Sequence, residues 1–178
     1  MTTNIFMLGM PSSGKSTLGR QLAKELNYDF IDLDKKIEVS EGKKNNEIFN
    51  LNGEEYFRKV ESEQLKKIEP DSRLVIATGG GTPCFHDNME IIKANGISVF
   101  LDVKPFKLEE RMRNSKKNNR PLFSLESDSL ADTLLKTYES RIEFYKKADI
   151  VIEGDTDANT ILWILDAHFL PNIPCSIC

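Results

Sequence analysis

An α/β fold built on a parallel sheet is predicted by three features of this chain. Short apolar runs alternate along it with longer amphipathic stretches. Each run is nearly all apolar instead of alternating, which is how strands buried on both faces read. Strand-like and helix-like stretches also take turns, the pattern of βαβ units. The strands are expected at Asn4–Leu8 (NIFML), Asp29–Leu33 (DFIDL), Leu74–Ala77 (LVIA), Ile97–Leu101 (ISVFL) and Ile150–Ile152 (IVI). The helices are expected at Lys15–Leu26, Asp34–Glu41, Glu54–Ile68, Asn88–Ala94, Pro105–Arg113, Leu130–Lys147 and Thr156–Phe169. Right-handed crossovers between parallel strands then place helices on both faces of the sheet.

One segment breaks the alternation. Asn114–Asp128 (NSKKNNRPLFSLESD) is polar, rich in Asn, Ser and Lys, and interrupted by Pro121. A structureless stretch of that length in a compact domain is usually functional or disordered, and a mobile lid at about residues 114–128 is the reading made of it. No internal repeat and no change of composition divides the 178 residues, so one domain over residues 1–170 and a tail at 171–178 are expected.

Composition narrows the class. With 39% hydrophobic and 29% charged residues the chain reads as a globular protein. No apolar run approaches the ~20 residues of a membrane helix, and MTTNIFMLGM has neither a basic region nor a cleavable apolar stretch, so no membrane role and a cytosolic location are expected. A net charge of −4 argues against general nucleic-acid binding. Cys84, Cys175 and Cys178 form no disulfide framework; the CxxC at the end lacks a second ligand pair and reads as reduced thiols. His86 and His168 have no triad-like or ligand-like spacing and read as structural or solvated.

Gly9–Ser16 (GMPSSGKS) fits GxxxxGK[ST] between an expected strand and a helix whose Leu18, Leu22 and Leu26 share one face. Gly9 allows a tight exit from the strand and Gly14 a backbone shape that larger residues resist. Successive N–H groups, from Met10, Pro11, Ser12, Ser13 and Gly14 through Thr17 with proline lacking its donor, then form an anion nest at a positive helix end. Lys15 supplies charge to the β- and γ-phosphates, and the Ser16 hydroxyl suits Mg²⁺. The predicted architecture is therefore a three-layer α/β/α P-loop NTPase fold with a five-stranded parallel sheet and a lid. The motif specifies a nucleotide phosphate without specifying the reaction.

Further clusters follow. Asp32 and Asp34 end the second strand run, at the sheet edge where α/β proteins bind ligands. Two carboxylates two residues apart on a strand share a face, though Asp34 can instead cap the helix that follows. Arg58 carries a planar fork suited to a carboxylate, with Glu61 one turn on; the same pair also suits an ordinary surface ion pair. Gly79, Gly80 and Gly81 let backbone approach a ligand, or form a flexible turn before Pro83. Arg120-Pro121-Leu122 is followed by Arg141 and Tyr145.

In this order, FIDLD, NGEEYFRKVE, ATGGG, RPL and RxxxY resemble the shikimate kinase family from about Asn4 to about Phe169. The resemblance implies ATP-dependent phosphorylation of the shikimate 3-hydroxyl, in the synthesis of aromatic amino acids, by a monomer. It implies that Asp32 holds Mg²⁺ through water and that Asp34 receives the hydroxyl as candidate base. Arg58 and Arg141 would clamp the shikimate carboxylate, Gly79–Gly81 would lie against the ring, and Phe49, Phe57, Pro121 and Leu122 would line the pocket. Arg120 would reach the transferring phosphoryl, and Arg113 would stack on adenine. Arg111, Lys116 and Lys117 read as a solvated basic patch. Ser12 departs from the family, which commonly has glycine there. The competing readings are a gluconate- or nucleoside-monophosphate-type kinase and a non-catalytic nucleotide-binding paralogue; no Asn-Lys-x-Asp motif favours a GTPase-type switch.

Overall fold

The computed structural model describes residues 3–114 and 130–169. The expected lid beyond Asn114, with Arg120, Pro121 and Leu122, and the tail with Cys175 and Cys178 lie outside the described residues. Among those described, strands β1 (Asn4–Leu8), β2 (Asp29–Asp32), β3 (Leu74–Ala77), β4 (Gly96–Asp102) and β5 (Ile150–Glu153) form one parallel sheet in the order β2-β3-β1-β4-β5. The helices are α1 (Lys15–Leu26), α2 (Leu33–Glu41), α3 (Asn45–Lys66), α4 (Asn88–Asn95), α5 (Pro105–Asn114), α6 (Leu130–Tyr145) and α7 (Ala158–Phe169).

The continuous apolar reading of the strands has the cause expected of it. On β1, Phe6 and Leu8 face a core completed by α2 to α6, while Ile5 and Met7 face a second core under α1 and α7. All four are fully buried, so the two-residue period of the strand is present but carries no polar phase. At the start of β1 a buried Asn4 spends its amide on four backbone groups. It donates to Glu69 O and Asn95 O and accepts from the N–H groups of Ser72 and Leu74, pinning the lower edge of the sheet.

The clearest departures from the expected boundaries are at α2 and α3. Leu33 belongs to α2 and not to the strand, because the Asp32 side chain accepts the Lys35 N–H at 3.4 Å and caps the helix there. α3 starts nine residues early relative to the expected Glu54, at Asn45. Its first turn is held by the Glu47 carboxylate accepting the Lys44 N–H at 2.9 Å, and by Ile48, which is fully buried. The element is two helical pieces joined by a bend at Gly53 (φ 82°, ψ 172°). A 3₁₀ turn, Thr82–Cys84, follows the glycine triplet. No helix among the described residues is long and apolar enough to cross a membrane.

Candidate active site

The carboxyl ends of β1, β2 and β3 open into one cleft. Pro11, Lys15, Ser16, Asp32, Asp34, Phe57, Arg58, Gly79–Gly81 and Arg141 all line it, together with Asn45, Phe49, Glu61 and Thr78. Segments 130 residues apart in sequence thus meet at the sheet edge where ligands of α/β proteins bind.

On one side stands the phosphate loop. Gly9 (φ 139°) and Gly14 (φ 106°) both hold conformations that side chains resist, and a Cβ on Gly9 would come within 2.8 Å of Leu101 O. Lys15 is buried and its Nζ donates to Gly9 O and Met10 O at 2.9 and 2.8 Å, so its charge is held within the mouth of its own loop. The Met10 side chain lies in the core, leaving only its backbone to a ligand, and Thr17 is exposed on the first turn of α1. The buried Ser13 hydroxyl has no hydrogen-bond partner among the described residues.

Ser16 Oγ donates to Asp32 Oδ2 at 2.9 Å. These two hard oxygen groups stand at the open end of the loop, and no cluster of three or more His, Cys, Asp or Glu among the described residues could hold a metal. That donor set fits Mg²⁺, which commonly takes one or two protein oxygens and completes its shell with phosphates and water. Asp32, not Asp34, caps α2, which leaves the Asp34 carboxylate on the cleft wall.

On the other side, the glycine triplet is a matter of space. A Cβ on Gly79 would come within 2.6 Å of Glu61 Oε1 and 2.9 Å of Asp34 Oδ1, one on Gly80 within 2.8 Å of Pro11, and one on Gly81 within 2.6 Å of the Arg58 guanidinium. Charged groups thus pack directly on the backbone of Gly79 and Gly81, and Pro11 on that of Gly80. Tyr145, fully buried and stacked on Phe100 at 4.9 Å, donates its hydroxyl to Gly80 O and props the loop from beneath. Burial raises the Tyr145 pKa and keeps that donor protonated.

Arg58 is no surface pair. It is 5% exposed and Glu61 is 0% exposed. Arg58 Nη1 donates to Glu61 Oε2 at 2.9 Å, while Nε and Nη2 donate to Glu54 Oε1 at 3.2 and 3.0 Å. Glu61 Oε1 also accepts from the Thr82 hydroxyl at 2.5 Å. Phe85 lies under the guanidinium with its ring centre 4.2 Å away. Guanidinium has five donors; among the described residues these three bonds use one N–H on each nitrogen, leaving a second N–H on each terminal nitrogen. Arg141, 9% exposed on α6, lines the same cleft. Phe49 and Phe57 meet with ring centres 4.4 Å apart, tilted by 33°, and form its apolar wall.

One expectation about arginine changes. Arg111 is not a solvated member of a basic patch: its Nη1 donates to Ser12 O and Ser13 O at 3.1 Å each, and its Nη2 to Asp155 Oδ1 at 2.5 Å. Arg113, which the resemblance gives to adenine, is exposed on α5 and pairs with Glu109 at 2.9 Å. Asn45 was not singled out either. Its Nδ2 donates to Asp34 O at 3.3 Å and its buried Oδ1 has no partner among the described residues. Only the tertiary fold shows these roles, since an arginine or asparagine on a helix has no spacing that names a distant contact.

Cys84 sits beside this clamp. Burial pushes its thiol up to about 11, outweighing the lowering pull of Arg141 and Arg58. At pH 7.5 Cys84 is expected to react with iodoacetamide on the order of 100-fold more slowly than a free cysteine, because only the thiolate attacks. Peptide-resolved mass spectrometry measures this, and labelling as fast as glutathione would contradict the burial argument.

A parallel sheet of this order, a phosphate loop after its central strand and an acceptor cleft beside it define a P-loop kinase of small molecules. Residues 11–166 match the family model for shikimate kinase. The shikimate kinase of Clostridium botulinum (strain 657 / Type Ba4) is 40% identical over 165 residues, covering 93% of this chain and 95% of that one. The crystal structure of the Bacteroides thetaiotaomicron shikimate kinase superposes with a TM-score of 0.85 at 36% identity, over 94% of this chain and 98% of that one. The Acinetobacter baumannii shikimate kinase, solved in complex with shikimate, gives 0.85 at 31% identity, over 97% and 96%. The chain belongs to the shikimate kinase family.

Proposed function

We propose that this chain transfers the γ-phosphoryl group of ATP to the 3-hydroxyl of shikimate. One observation carries the reading: two buried arginines, Arg58 and Arg141, share a single cleft with Asp34 and with Lys15 of the phosphate loop. An acid placed with its carboxylate on the guanidinium groups has its ring along Gly79–Gly81 and against Phe49 and Phe57. Asp34 then orients or deprotonates the acceptor hydroxyl. Lys15 follows the charge of the transferring group, and positioning and fixed charge supply most of the rate. Ser16, and Asp32 through water, would hold Mg²⁺, which would supply neutralisation of phosphate charge. Arg120 joins Lys15 in this role by family resemblance.

ADP release, followed in a coupled assay with shikimate, gluconate and nucleoside monophosphates as acceptors, tests the reading. Turnover is expected with shikimate alone. Equal turnover with gluconate or a nucleotide would transfer the assignment to that acceptor. No turnover with any would favour a binding protein without catalysis.

A further inference from the structure

We infer that Arg111 is a positioning residue for the nucleotide, holding the phosphate loop in a bend that its own sequence disfavours. The inference rests on the proposed binding of ATP to that loop. Ser12 has φ 65°, a left-handed conformation at a residue with a side chain. Such a conformation is disfavoured roughly tenfold for L-residues other than glycine and persists only where its surroundings enforce it. The enforcing contact comes from 99 residues away: Arg111 Nη1 binds the carbonyls of Ser12 and Ser13 together, each at 3.1 Å.

Its other arm is anchored. Nη2 holds Asp155 Oδ1 at 2.5 Å, and Lys107, one turn earlier on α5, binds the second oxygen of the same carboxylate. The guanidinium therefore cannot swing away from the loop without breaking a charged pair. In a planar trans peptide the N–H points opposite the C=O. Fixing Ser13 O toward α5 thus directs the Gly14 N–H to the opposite side of the loop. Ser13 N–H meanwhile closes the loop on Met10 O at 3.1 Å. Arg111 thereby sets the direction of peptide groups that form the anion nest.

Bend and brace form one unit, which a double-mutant cycle can expose. Glycine adopts the left-handed region freely, so the loop should need its brace far less once Ser12 is replaced. Arg111→Ala is expected to raise the KM for ATP and the Kd for ADP, measured by calorimetry, by roughly tenfold, the population penalty of the bend. kcat and the KM for shikimate should stay within about twofold, since a contact on the phosphate loop alone acts on nucleotide binding. In the Ser12→Gly background the same substitution should cost about threefold or less, because the strain it unmasks is gone.

Arg111→Lys should recover only part of the loss, as an ammonium lacks the fork that spans two carbonyls and a carboxylate. Asp155→Ala, which keeps Arg111 but frees its second arm, should give a smaller rise in the same direction. Equal losses in both backgrounds would mean that Arg111 touches the nucleotide itself or acts only through its charge, and would overturn the inference. So would unchanged ADP affinity in Arg111→Ala. Absence of ATP and ADP binding by the unsubstituted chain would instead defeat the proposed function.

Discussion

Asp34→Asn is expected to lower kcat by roughly 10²- to 10⁴-fold, the usual contribution of a positioned general base. The KM for ATP should change by no more than about threefold, because Gly9 O and Met10 O hold Lys15 Nζ in the phosphate loop. The substitution is nearly isosteric, and it does not disturb the cap of α2, which Asp32 provides. Steady-state kinetics with both substrates varied would show the split. Turnover within a few-fold of the parent would remove Asp34 from the proton transfer and leave it a cleft wall.

Arg58→Ala is expected to raise the KM for shikimate about 30-fold or more, the effect of roughly 2 kcal/mol or more when a buried charged partner is lost. The KM for ATP should move little. The same change carries a folding cost, since it strands the carboxylate of Glu61, which is 0% exposed; breaking a buried pair in this way costs about 3–5 kcal/mol. Arg58→Lys separates the two effects. It keeps a cation beside Glu61 but loses the planar fork, so shikimate binding should weaken while urea denaturation shows a smaller loss of stability. Equal rises in both KM values for the lysine variant would argue against a carboxylate clamp.

Much of the architecture is written locally. β1, α1 and β3 have the ends expected of them, because each is bounded by an abrupt chemical change: an apolar run into glycine, a glycine-lysine start, an alanine into Thr78 and three glycines. The stretch Asn45–Asn52 was missed for the opposite reason. Four of its eight residues are asparagine, a poor helix former, and its helicity rests on burial of Ile48 against the rest of the core.

The site divides along the same line. The phosphate loop announces its chemistry through residue type and spacing, and the family order of the later clusters supplied Asp34, Arg58 and Arg141, all of which line one cleft. Whether Arg58–Glu61 was buried or solvated could not be read from a three-residue spacing, since both situations use the same one. The brace from Arg111 was invisible because nothing in α5 records that Ser12 lies beside it.

The bend at Gly53 has a consequence for how the cleft keeps its shape. Phe49 stands before the bend and Phe57 and Arg58 after it, yet one continuous stretch of backbone carries all three. Nothing crowds the missing Cβ of Gly53, so glycine is needed there for its torsion angle alone. One ring of the aromatic wall is mounted on one arm of a bracket, the other ring and the cationic grip on the second, and the angle between the arms is set at a single glycine. Straightening that bracket would part the two rings while leaving every side chain of the cleft in place in the sequence.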